Sequence, residues 1–205
     1  MKKLHVMAAV AIFAASFVGC GKDDNQTSNI PTSPLPNNEL KGTLTGTEWV
    51  DVSKYTTLKV FAGIGDKVIA FAEAPITNSE FSVILPVPPA ESLEDMSGIS
   101  NAGIGVSNKA VKYTSVKVDA TYSNGTGTFF YAKKTGDITV TEEYWYVDDD
   151  VVIDGTVATS KDNDITVIVS MNLKKGWNII TLTESKTSIE QKTGARTEGL
   201  AWTYW

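Results

Sequence analysis

The side chains in this chain best able to do chemistry are carboxylates and aromatic rings. Asp148-Asp149-Asp150, with Asp154 four residues further on, is the densest acidic cluster, and Asp162-Asn163-Asp164 is a shorter one. Hard oxygen donors of this kind suit Ca²⁺, which takes about 6–8 oxygens. The spacing departs from the helix-loop-helix calcium loop, and both clusters also read as solvated turns. Paired carboxylates hydrolyse glycosides when they stand about 5–5.5 or 6.5–9.5 Å apart. The 24 acidic residues do not reveal any such separation by sequence. The aromatics are the better hint of binding: Trp49, Tyr144, Trp145 and Tyr146 are candidate ligand contacts, with Trp177, Trp202 and Trp205 as further large rings. Alternate residues of a strand point to opposite faces. If Tyr144 and Tyr146 face the core, Trp145 is exposed; the reverse exposes two tyrosines.

The chain has one histidine, His5, and one cysteine, Cys20, both near its start. Lys2 and Lys3 precede an apolar run from Val6 to Val18 that is shorter than the ~20 residues of a spanning helix. A basic start, a short apolar stretch and a small-residue site read as a secretory signal peptide over residues 1–19. Phe17-Val18-Gly19-Cys20 resembles the lipobox of bacterial lipoproteins, with Phe17 where leucine is commoner. The resemblance implies cleavage before Cys20 and acylation of its thiol and new amine. Each buried CH₂ contributes about 0.8 kcal/mol, and one chain alone holds only marginally, so two or three acyl chains matter. Gly21-Lys22-Asp23-Asp24-Asn25 looks like the surface-export signal of Bacteroidota lipoproteins, with Lys22, Asp23 and Asp24 as its charged residues. The expected address is the outer membrane, lipid-anchored, at the cell surface rather than the periplasmic face.

If Cys20 carries lipid and His5 leaves with the signal, the domain has no thiol and no imidazole. Ser-His-Asp and Cys-His mechanisms, histidine bases, disulfides and nearly every zinc site then fall away. No catalytic residue, cofactor or metal is expected. Removal of Lys2 and Lys3 lowers Lys+Arg from 18 to 16 against 24 acidic residues, leaving a formal charge of −8. An acidic surface disfavours nucleic acid and anionic lipid.

The elements that must position these residues are strands. Residues 20–38, rich in Gln, Thr, Ser, Asn and Pro, have little to bury and read as a disordered tether. From residue 39 to 205 the pattern has period two. Phe81, Val83 and Leu85 share one face, as do Val116, Val118 and Ala120, and again Ile165, Val167, Val169, Met171 and Leu173. Turn signals fall between the runs, including Asn124-Gly125, Thr135-Gly136-Asp137 and Lys174-Lys175-Gly176, where Gly176 suits a positive φ. The pattern predicts an all-β fold, an antiparallel sandwich of roughly nine or ten strands. Residues 86–112 read as a long connection or a sub-boundary between domains. Leu200-Ala201-Trp202-Thr203-Tyr204-Trp205 reads as a final strand that buries Leu200, Trp202 and Tyr204.

Ala70–Ile76, Phe81–Pro86 and Leu173–Asn178 resemble recurring patterns of Bacteroidota lipoproteins with immunoglobulin-like or transthyretin-like sandwiches. The resemblance implies fold and compartment and carries no activity. The expected function is a non-catalytic surface module that binds a glycan or a protein. The alternatives are a component of an envelope or fimbrial assembly and a carboxylate-based glycosidase.

Overall fold

The computed structural model describes residues 38–64, 67–99, 103–159 and 165–204. Cys20, Lys22, Asp23, Asp24, Asp162–Asp164 and Trp205 lie outside the described residues.

The period-two pattern yields strands throughout. They are β1 (Glu39–Thr45), β2 (Thr57–Ile64), β3 (Lys67–Pro75), β4 (Glu80–Ile84), β5 (Glu94–Asp95), β6 (Ile104–Val106) and β7 (Lys112–Tyr122). There follow β8 (Gly125–Thr135), β9 (Ile138–Val147), β10 (Val151–Thr159), β11 (Ile165–Leu173), β12 (Gly176–Glu184), β13 (Ser188–Thr193) and β14 (Ala201–Tyr204). The fold is all-β, but the described residues form fourteen strands where nine or ten were expected, and the sheet is mixed. Two pairings are parallel, β1 with β14 and β11 with β13. Alternation along a strand is the same in parallel and antiparallel ladders, so the sequence could not show them.

The long connection is itself structured. It contributes β5, which pairs with β7, and β6, which pairs with β10. Met96, fully buried, donates its N–H to the Lys109 and Val111 carbonyls. The connection therefore closes the fold.

The sheet order is β4-β1-β14-β8-β7-β9-β12-β13-β11-β10-β6, and β2 lies between β7 and β3. The strands β7, β8 and β9 form a three-way junction. The end of β7 pairs with β8 (Val118↔Phe129), and its start pairs with β9 (Ser115↔Trp145). The second half of β8 pairs with the first half of β9 (Tyr131↔Glu142).

This junction separates two hydrophobic cores. The first gathers Leu40, Leu44, Leu58, Val60, Phe81, Val83, Leu85, Val118, Phe129 and Trp202 from the run β4-β1-β14-β8-β7-β2-β3. The second gathers Met96, Tyr113, Val151, Ile153, Val167, Val169, Met171, Leu173 and Ile189. The paired strands β9 and β12 serve both. Tyr144 and Ile179 enter the first core; Trp145, Val147, Ile180 and Leu182 enter the second.

The alternating strands behave as expected. Along β11, Val167, Val169, Met171 and Leu173 are buried and Ile168, Ser170 and Asn172 are exposed. Gly176 has φ +102°, as its turn requires. The final strand also forms: Leu200 and Trp202 are buried, and Tyr204 is partly so. Trp202 packs edge-on to Phe81 and tilted on Tyr131, with ring centroids 5.4 and 5.2 Å apart. Its indole donates to the Lys41 carbonyl at 3.3 Å.

Candidate functional site

The Tyr144-Trp145-Tyr146 run is not an exposed platform. All three rings are buried, at 2, 6 and 9% exposure, because β9 has a core on each face. Trp145 packs on Tyr113 at 5.3 Å, and its indole donates to the Glu143 carboxylate at 2.9 Å. Either alternative face assignment assumed one wet face, and β9 has none at this point.

Trp49 stands apart at 86% exposure, more than any other large apolar side chain among the described residues. It occupies a turn built by its neighbours. The Val50 N–H donates to the Thr47 carbonyl at 3.0 Å, and the Trp49 N–H donates to Thr47 Oγ1 at 3.3 Å. Gly46 makes the turn possible, since a Cβ there would meet the Val50 carbonyl oxygen at 2.1 Å. Asp51 then caps a short 3₁₀ turn, accepting from the N–H and hydroxyl of Ser53.

These residues follow the C-terminal end of β1. The same end holds the start of β2, the β3–β4 turn, the β7–β8 turn and the end of β14. It is rich in aromatics. Tyr55 meets Tyr122 and Phe129 edge-on at 5.2 and 5.3 Å, and Phe129 meets Tyr204 at 5.7 Å. Gly127 gives these rings room: a Cβ there would lie 2.6 Å from Tyr55 Oη and 2.8 Å from Tyr204.

A second aromatic surface lies at the other end of β1. Asn38, Leu85, Val87, Tyr146, Lys175, Gly176 and Trp177 line a shallow depression of about 430 Å³. Trp177 stacks on Phe71 (5.9 Å, 19° between planes), and its indole donates to the Pro86 carbonyl at 3.1 Å. Val87 and Ile84 nearby are 71 and 57% exposed.

The acidic cluster does not converge. Asp148 accepts the Lys112 N–H at 2.8 Å, and Asp149 accepts the Asp150 N–H at 2.8 Å. Asp150 binds Lys174 Nζ and the Lys175 N–H, each at 2.9 Å, and these bonds hold its carboxyl below the usual range. Asp154 is an exposed residue of β10, opposite Ser170. Among the described residues, no three acidic, cysteine or histidine side chains are grouped to hold a metal ion.

Two buried carboxylates, Asp119 and Glu142, and the partly buried Glu143 were not legible in the sequence. Asp119 is bound by Lys117 Nζ at 3.0 Å and by the Thr128 hydroxyl at 2.8 Å. Glu142 accepts the Thr197 N–H beside Arg196, whose guanidinium donates to the Glu39 carbonyl. Burial pushes the Glu142 carboxyl up, opposed by the Thr197 bonds and the Arg196 charge. Burial also pushes Glu143 up, against the bond from Trp145. Glu142 Oε2, Tyr144 Oη and Arg196 Nε are buried without a hydrogen-bond partner among the described residues. Glu142 and Glu143 are consecutive in a strand and turn toward opposite faces, so they do not form a catalytic pair.

No family model, curated protein or solved structure matches the chain.

Proposed function

We propose that the chain is a non-catalytic binding module on an N-terminal tether, which meets a glycan or protein partner through the Trp49 turn. The exposed indole of Trp49 on a hydrogen-bonded turn carries this reading. A tryptophan side chain offers roughly 200 Å². At about 25 cal/mol per Å², covering it contributes up to about 5 kcal/mol before association costs. Tryptophan is also among the side chains that most often dominate contact energetics. Divergence of Glu142 and Glu143 supports binding over glycoside hydrolysis.

In this reading each core is wrapped in a sandwich-like, immunoglobulin-like manner. Cys20 carries the lipid, residues 20–38 form the tether, and Lys22-Asp23-Asp24 directs the chain to the outer surface of the outer membrane. Glycan-array and surface-protein binding, compared between the native chain and Trp49→Ala, tests the contact. The variant should keep its melting temperature and lose binding; undiminished binding removes Trp49 from the interface. A Cys20→Ala chain that still partitions into detergent refutes the anchor. A domain that resists protease on intact cells until the outer membrane is broken refutes the surface address.

The open edge of β3 favours a second reading, a strand-accepting component of an envelope assembly. Among the described residues β3 pairs only with β2, and Val68 on it is 46% exposed. The register shift opposite Val60–Phe61 blunts that edge, so the reading ranks second. Absence of any cross-linked assembly on intact cells counts against it.

A further inference from the structure

The depression around Trp177 lies where the chain enters the fold. Asn38, the first described residue, forms part of its wall, and the Asn38 carbonyl accepts the Leu85 N–H at 2.7 Å. That bond continues the antiparallel ladder in which Glu39 faces Ile84. A regular continuation of that ladder would run past Leu85, Pro86 and Val87. The ladder cannot continue regularly, because Pro86 and Pro88 have no N–H to give. A segment passing here must be held by its side chains.

Residues 34–36 are Pro34-Leu35-Pro36. Spaced prolines favour the polyproline II conformation, which needs no backbone ladder, loses little entropy on docking and fits aromatic-lined grooves. The surface ahead of Asn38 has that character. The Trp177 ring is fixed by Phe71 and by its bond to Pro86, with the Tyr146 ring 5.4 Å away edge-on. Val87 is left 71% exposed beside it.

We propose that the depression lined by Leu85, Val87, Tyr146 and Trp177 is the docking site of the chain's own Pro34-Leu35-Pro36 segment. Leu35 covers Val87 and the open side of the Trp177 indole, and the flanking prolines lie against the aromatic edges. Only Asn37 separates the segment from Asn38, so the effective concentration is that of a very short linker and modest contacts suffice. The consequence is a tether whose last turn before the domain has a fixed direction.

The test uses the full chain labelled with 5-fluorotryptophan, with the Trp177 resonance assigned through Trp177→Phe. In Pro34→Ser/Leu35→Ser/Pro36→Ser the Trp177 resonance should move and its H₂O/D₂O solvent isotope shift should rise about twofold, because Phe71 keeps one face covered. Val87→Ser, a change at an exposed position, should give the same effect in smaller degree. The Trp49 resonance should not move in either variant. A Trp177 signal identical in the native and triple-variant chains overturns the proposal. So does a native Trp177 signal that changes on dilution, which would make a second copy the occupant.

Discussion

Tyr144→Phe should stabilise this protein, although removing a buried tyrosine hydroxyl ordinarily weakens a fold. Tyr144 is 2% exposed, and its Oη has no hydrogen-bond partner among the described residues. Leaving a buried polar group unpaired costs about 1–3 kcal/mol. Phenylalanine keeps the ring and its place in the first core. It also keeps the ring beneath Arg196, whose guanidinium carbon lies 5.6 Å from the centroid. The variant removes that desolvation and gives up only the weak interaction of the hydroxyl with the Arg196 side chain, so the gain should be about 1–2 kcal/mol. For a fold of this size, 1 kcal/mol moves the melting temperature by about 2–4 °C. Differential scanning calorimetry at pH 7 and urea unfolding should therefore report a rise of about 2–8 °C and a higher midpoint, with an unchanged m-value. Loss of about 1 kcal/mol or more would show that the hydroxyl is bonded and refute the reasoning, along with the view of Glu142, Tyr144 and Arg196 as an under-satisfied cluster.

Three further outcomes follow from the same geometry. Glu142 and Glu143 have carboxyls raised by burial, so the folded state holds their protons more tightly than the unfolded chain. Their stabilising contribution is complete below the unfolded value of 4.5 and is lost as pH rises through the raised folded values; Glu142→Gln should flatten the fall in melting temperature above pH 4.5, and an unchanged slope would sink the assignment. Gly42→Ala should destabilise by about 1–3 kcal/mol, because its Cβ would stand 2.6 Å from Trp202 Cδ1; in a Trp202→Leu background the same change should cost little, and strict additivity in that double-mutant cycle refutes the contact. Deletion of residues 199–205 removes the strand shared by β1 and β8 and should abolish cooperative unfolding in calorimetry, whereas a soluble, cooperatively folding truncation contradicts the role of Trp202.

Where a strand has one wet face, the sequence describes it well. Phe81, Val83 and Leu85, and Val167 through Leu173, are buried at the alternate positions the pattern marks. The pattern misleads where a strand has two cores. On β9, Glu142, Tyr144, Trp145, Tyr146 and Val147 are all buried, yet tyrosine, tryptophan and glutamate look compatible with water. Period-two reasoning assigns one of two opposed faces to solvent, and no local signal says that both are covered. The same limit hid Glu142, which shares the covered face of β9 with Tyr144. The β3–β4 turn was missed for a different reason. Asn78 and Ser79 both have positive φ, at 53° and 64°, in a two-residue turn without glycine. Asparagine tolerates that conformation, but serine does so rarely.

Strand β1 joins the two surfaces proposed to act in binding and tethering. Its seven residues, at about 3.3 Å each, place the entry at Asn38 and the Trp49 turn roughly 20 Å apart, at opposite ends of the first core. β1 is held antiparallel to β4 and parallel to β14, so it is an interior strand in a continuous sheet. The Arg196 guanidinium also bonds the Glu39 carbonyl at the entry. A pull on the proposed tether would therefore run along a strand paired with β4 over Glu39–Thr43 and with β14 at Leu44 and Thr45. The ladder bonds lie across that pull and must shear together, which resists extension more than opening them one at a time. A module that holds a partner at Trp49 while anchored through residues 20–38 carries load between those two points. The Trp49 turn and the Trp177 depression stand at opposite ends of β1. In the proposed reading the turn is the outward contact and the depression fixes the tether, so substitutions at one should leave the other's ring environment unchanged.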